Sequence, residues 1–198
     1  MQGFWDERYG REGMLWGAEP NAVVADIGAG LPAGSVLDLA CGQGRNAVWL
    51  ALQGHDVTGI DLSPVAIEQA RRLAEDTGVA VDLSWGDITE WDPAGRTWDL
   101  VLLSYLQVPP DARLVAHAKA VAAVAPGGTL LLVAHHRDNL EHGVGGPQDA
   151  EVLYTEDELA ADFAELEILR NEIVERRVER DDVQGTAIDV LVLASRPA

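Results

Sequence analysis

The chain has 198 residues, 47% of them apolar, which is enough to bury one core, so a single domain spanning 1–198 is expected. Its 33 acidic residues against 14 basic ones leave a formal net charge of -19, which repels phosphate backbones and anionic lipid surfaces and argues against nucleic acid or membrane as a partner. A single cysteine, Cys41, excludes an internal disulfide and a multi-cysteine zinc site, and no metal is expected.

Residues 1–10 alternate aromatic and charged side chains without the basic start and apolar run of a signal peptide, and no apolar stretch approaches membrane-spanning length. A cytoplasmic protein is expected. Asn21 caps a short helix over 22–29 that stops at Gly30. Continuous apolar runs at 35–40, 56–60, 81–85, 99–105 and 129–135 read as strands buried on both faces.

Helices alternate with these strands. One opens at Ser63-Pro64, carries Ile67, Ala70 and Ala74 on one face, and stops at Gly78. Another runs over 111–124 and ends at Ala125-Pro126-Gly127-Gly128. The stretch 137–154 is long for a connection and has the length of a lid loop. A capping box at Thr155 and Glu158 then starts a helix carrying Leu159, Phe163 and Leu166. Two last strands, 172–179 and 186–194, lie so close in sequence that only an antiparallel hairpin can join them. Arg176 and Arg177, with Arg180, form the largest basic cluster. The expected fold is α/β, a Rossmann-like doubly wound sheet of seven strands, mostly parallel with an antiparallel C-terminal strand, and helices on both faces.

In such a sheet the ligand sits outside the carboxyl ends of the strands, where the order of the strands reverses. The first strand ends in Asp38-Leu39-Ala40-Cys41-Gly42-Gln43-Gly44. Gly42 and Gly44 remove side chains where the backbone turns and a ligand approaches, and a helix opens after them. Asp61 closes the next strand, where a carboxylate can accept two hydrogen bonds from a ribose diol. Gly42 to Ala47 also fits the dinucleotide fingerprint, but the carboxylate of Asp38 repels a pyrophosphate and suits an ammonium group. The charge points to S-adenosylmethionine, which carries an ammonium and a sulfonium and no phosphate. A small nicotinamide-binding protein is the alternative.

These motifs resemble the class I S-adenosylmethionine-dependent methyltransferases over nearly the whole chain. The resemblance implies that residues 36–46 form the first motif, with Ala40 where many members have glycine, and that Asp61-Leu62 holds the ribose and covers the adenine. It implies that Asp87 faces the adenine amino group, that the Ile88 backbone meets the ring edge, and that Ser104 lies beside the methionine part. Trp5, Tyr9 and Trp16 are similar to the N-terminal segment of the thiopurine and tellurite-resistance methyltransferase branch, which implies that residues 1–30 cap the cofactor through Tyr9 and Trp16. The acceptor implied is a small molecule, with a soft sulfur, selenium or tellurium nucleophile suggested by that branch. A fold that binds the cofactor without turnover is a further alternative. His135, His136 and Tyr105, at strand ends, are the candidates should a proton need removal, with no catalytic residue assigned; Cys41 reads as a small turn residue. The chain is expected as a monomer or a small homo-oligomer.

Overall fold

The computed structural model describes residues 1–11, 13–180 and 183–198. In chain order the elements are α1 (Gln2–Tyr9), α2 (Ala22–Gly28), β1 (Ser35–Leu39), α3 (Arg45–Leu52), β2 (Asp56–Asp61), α4 (Pro64–Thr77), β3 (Asp82–Trp85) and β4 (Trp98–Ser104). They continue with α5 (Pro110–Ala123), β5 (Val124–His135), α6 (Asn139–His142), a 3-10 turn (Ala150–Val152), α7 (Glu156–Asp162), β6 (Glu167–Arg180) and β7 (Val183–Ser195). The seven strands form one sheet in the order β3-β2-β1-β4-β5-β7-β6. All neighbours from β3 through β5 are parallel, and β7 runs antiparallel to both β5 and β6, so one strand is reversed as expected.

Strand alternation decides which helices cover which face. Leu37, Leu39, Val101, Leu103, Leu130 and Leu132 point to one side and pack with Ala116 and Ala120 of α5 and Leu159 of α7, joined by Phe163. Val36, Leu100, Leu102, Leu131 and Val133 point to the other and pack with Val24 of α2 and Ala47 and Leu50 of α3. Asp38 belongs to this second face by its spacing from Val36, an acid in an otherwise apolar row.

Caps follow the local chemistry read from the sequence. Asn21 Oδ1 accepts from the Val23 and Val24 amides, Ser63 Oγ from Ala66, and the Thr155–Glu158 box is reciprocal. Three boundaries differ. The turn expected at 125–128 is a bulge inside β5: Gly127 takes φ of 77°, and the register against β4 slips between Trp98 and Leu100 while Gly127 and Gly128 pair with Arg196. β6 starts at Glu167, ahead of the expected 172, because pairing with β7 extends the hairpin through a stretch that lacks apolar alternation. The N-terminal helix α1 was not legible, since its aromatic and charged residues show no helical apolar face. The Arg180 side chain, residues 181–182 between the two expected last strands, and residue 12 of the expected cap lie outside the described residues. Among the described residues, no helix is long and apolar enough to cross a membrane.

Candidate functional site

The strand order reverses between β1 and β4, and the crevice opened there is a cavity of about 400 Å³, the size of a small-molecule site. Backbone strain concentrates at its rim. Ala40, just after β1, has φ of 63°, and Tyr105, just after β4, has φ of 56°, a region that side chains with a Cβ rarely occupy. Both line the cavity. The glycine resemblance at position 40 therefore has a physical basis, since that backbone position is left-handed.

Of the cofactor residues expected from the sequence, Tyr9, Trp16, Ala40, Gly42, Asp61, Leu62, Asp87, Ile88 and Ser104 line the cavity. Asp38 and Gly44 are not among its lining residues. Gly44 caps α3 at φ of 82°, and a Cβ there would stand 2.8 Å from the Ala70 Cβ of α4. Gly42 has φ of 56°, and its absent side chain makes room for the Tyr9 hydroxyl, 3.0 Å from where a Cβ would lie.

Asp61 is fixed by backbone donors: the Gly42 amide donates to Oδ2 at 2.8 Å and the Ser63 amide to Oδ1 at 2.9 Å. It thus tethers the glycine turn and the start of α4 together while lining the cavity. Burial pushes its carboxyl above the usual range, against the pull of those two amides. Asp38 is fully buried behind the rim, and neither of its oxygens has a hydrogen-bond partner. Burial, with the nearby charge of Asp61, pushes its carboxyl up to about 8 against the opposing effect of Arg45. A buried carboxylate without a donor is costly unless a cation or a hydrogen bond reaches it. This orphaned acid, with the Asp61 carboxylate at the rim, fits a positively charged ligand. Asp87 Oδ1 accepts from the Thr89 amide and hydroxyl at 2.8 and 2.7 Å, so it also shapes its own turn.

The N-terminal segment is stitched across the same rim. Ser63 Oγ donates to Asp6 Oδ1 at 2.5 Å, and Gln69 Nε2 donates to the Tyr9 carbonyl at 2.9 Å. The Trp16 side chain hydrogen-bonds the Tyr9 phenol, whose ionisation burial strongly opposes. Two residues that sequence reasoning passed over hold this segment down. Gln43 accepts from the Leu15 amide at 2.8 Å and donates to the Gly13 carbonyl at 3.1 Å, and Arg45 donates to the Trp16 carbonyl at 3.1 Å. Their one signal was position, on either side of Gly44. Cys41 packs against Gly59 and is buried, with its thiol pushed well up by that burial, which disfavours a thiolate.

Opposite this rim, the end of β5 and the interior of β6 and β7 contribute a polar network. Asp189 is fully buried; its Oδ2 accepts from the Tyr105 hydroxyl at 2.6 Å and from Arg176 Nε at 2.7 Å. The Tyr105 hydroxyl in turn accepts from Arg176 Nε at 2.9 Å and Asn21 Nδ2 at 3.2 Å. Its proton is committed to Asp189, and burial with that negative neighbour pushes its pKa up, so Tyr105 is no base. The other two candidates separate. His135 lines the cavity, whereas buried His136 is turned away from it, its Nε2 2.9 Å from Glu156 and its Nδ1 accepting from the Asp138 amide. The stretch 137–154 has structure of its own: Asn139 Oδ1 accepts from the Ile188 amide and the Val144 amide donates to Thr186, so that Val144, Gly145 and Gly146 reach the cavity.

Comparison with known proteins agrees with this geometry. A family model described as a methyltransferase domain matches residues 36–128. The chain is 30% identical to dTDP-4-amino-2,3,4,6-tetradeoxy-D-glucose N,N-dimethyltransferase of Saccharopolyspora spinosa, across 83% of this chain and 76% of that protein. It spans about half the length of other curated relatives it matches, 54% and 52% for two of them. Its fold resembles TehB from Haemophilus influenzae with a TM-score of 0.75 at 20% identity, covering 98% of this chain and 66% of that one. It resembles equally the N-methyltransferase NodS from Bradyrhizobium japonicum in complex with S-adenosyl-L-homocysteine, TM-score 0.75 at 18% identity, covering 100% and 98% of the two chains.

Proposed function

Because the chain belongs to the class I S-adenosylmethionine-dependent methyltransferases, we propose that it transfers a methyl group to a small-molecule acceptor held in the crevice between β1 and β4. The observation that carries this reading is the pairing of Asp61, pinned at the rim by the Gly42 amide, with the partnerless Asp38 behind it. Asp61 presents its carboxylate toward a ribose, Leu62 covers the base, and Asp87 with the Ile88 backbone faces the base edge. Asp38 supplies the negative charge for the ammonium end, beside Ser104. Tyr9 and Trp16 close the site from above and exclude water. When bound, S-adenosylmethionine supplies a sulfonium methyl with a neutral leaving group, so the protein's task is alignment and the exclusion of water.

The acceptor has a soft sulfur, selenium or tellurium nucleophile. Supporting that choice are the N-terminal segment, Trp5 to Trp16, similar to the thiopurine and tellurite-resistance branch, and the whole-chain likeness of fold to TehB. The net charge of -19 speaks against polynucleotide acceptors. Residues 1–30 act as a cap, and the tip of 137–154 at Val144 to Gly146 as a lid over the acceptor side. The test is a screen of thiols, metalloid oxyanions and small phenols that reads S-adenosylhomocysteine release. Turnover with a thiol or oxyanion is expected. Tight cofactor binding with no product from any acceptor would instead identify a binding protein that has lost turnover.

A further inference from the structure

The acceptor side of the crevice holds a titratable pair that methyl transfer to an already ionised nucleophile would not need. His135 of β5 stands directly opposite Asp189 of β7 in the antiparallel register. Residues so opposed project from the same face with Cβ atoms about 5 Å apart. His135 Nδ1 lies 3.0 Å from Asp189 Oδ1. At this separation neither atom completes a hydrogen bond, to the other or to anything else; such pairs often tighten only when substrate is bound. The other oxygen, Oδ2, is taken by Tyr105 and Arg176, which leaves Oδ1 for the histidine.

A carboxylate only accepts, so this pair can close as a hydrogen bond in the neutral ring only with the proton on Nδ1, the tautomer that leaves Nε2 a lone pair. Gly146 lies over the ring face, where a Cβ would stand 3.0 Å from Nε2 and 3.1 Å from Cδ2 and Cε1, and both residues line the cavity. The groups facing this ring are Asp189 from β7, the Tyr105 ring 4.8 Å away beyond β4, and Arg176 from β6 bonded to both. Burial raises the Asp189 carboxyl, but His135, Arg176 and Tyr105 outweigh it and hold the group below its usual range, so it stays ionised.

Resting on the methyl-transfer reading, we propose that His135 is the general base for an acceptor that arrives protonated, a thiol, and that Asp189 is its positioning residue. The S–H bond breaks and its proton passes to Nε2. The electron pair left on sulfur forms the bond to the donated methyl carbon, whose former bonding pair departs with the neutral thioether. The imidazolium then returns the proton to water. A thiol, near 8.5, lies closer to an imidazole, near 6.5, than phenols and lysine-type ammonium groups, which sit at about 10 or above.

The test compares an alkanethiol, protonated at neutral pH, with an electron-poor arenethiol that is ionised there. His135→Gln is expected to lower kcat on the alkanethiol by at least about 100-fold, the lower end for a lost general base, and to change the arenethiol rate by less than about threefold. Asp189→Asn is expected to lower kcat on the alkanethiol with its KM unchanged. Nitrogen-15 shifts of the cofactor-free protein supply a readout independent of turnover: His135 is expected to carry its neutral proton on Nδ1. Equal losses on both thiols, no loss on either, or a ring protonated at Nε2 would overturn the base assignment. Product from phenols or oxyanions but from no thiol would overturn the thiol and leave methyl transfer standing. No product from any acceptor would remove the reading beneath it.

Discussion

The two banks of the crevice are built from different materials. On the β1–β2 bank, the parts are a left-handed turn, backbone amides and two buried carboxylates, Asp38 and Asp61, all within one βαβ unit. On the β5–β7 bank they are long side chains, His135, Arg176 and Asp189, brought together by strand register from distant stretches of sequence. The first bank is a frame whose shape depends on main chain. The second is a charge network whose shape depends on every partner being present. Changes on the first bank should therefore act on cofactor affinity, and changes on the second on stability and acceptor chemistry.

The largest effect expected is on the second bank. Asp189→Ala removes the acceptor for Tyr105 and Arg176 and leaves a half-buried guanidinium unpaired, at a cost of about 3 kcal/mol. Denaturant titration reads that loss, and calorimetry should show cofactor affinity within twofold; a collapse of affinity would mean that the banks are not separable. On the first bank, Asp61→Ala is expected to weaken cofactor binding at least tenfold, about 1.4 kcal/mol or more, and an unchanged dissociation constant would move the ribose contact elsewhere.

The difference can be sharpened with pH. The folded, cofactor-free protein holds a proton on Asp38 up to about 8, against 3.8 for an ordinary aspartate. Below 3.8 both folded and unfolded forms are protonated; between 3.8 and 8 only the folded form keeps the proton, so this group's contribution to stability falls as pH rises through that window. A bound ammonium group favours the carboxylate, so cofactor binding should release a proton near neutral pH and weaken by about fivefold on lowering pH from 8 to 7. Calorimetry in buffers of different ionisation enthalpy counts that proton. Asp38→Asn should abolish the release, and its persistence would assign the proton to another group. The smallest effect is expected at Ala40, where glycine relieves a φ of 63° at some entropic cost, raising stability by about 0.5 to 1 kcal/mol in the same denaturant titration. A loss of stability would mean that the methyl group is packing at the rim.

The same contrast explains what could be read before the fold was known. Gly42, Asp61 and Ser63 are close in sequence and act through local backbone geometry, so strand–turn–helix punctuation announced them. Asp189 carried no local signal: an acid in an apolar run becomes a site residue only when β7 pairs with β5 in a register that sets it across from His135. Arg176 reads in sequence only as part of the largest basic cluster, and the β6–β7 pairing turns it onto Asp189. The adjacent histidines could not be told apart in sequence, yet alternation sends His135 to the cavity and His136 to Glu156. Helix α1 escaped notice because polar contacts to α4, from Asp6 and Tyr9, hold it in place of an apolar stripe.

The crevice is built for a cationic adenosyl donor and not for a pyrophosphate. Calorimetric titration of the protein with S-adenosylmethionine and, separately, with NAD tests it most directly. Micromolar binding of S-adenosylmethionine with no heat from NAD is the predicted result; micromolar binding of NAD with none of S-adenosylmethionine would contradict the account.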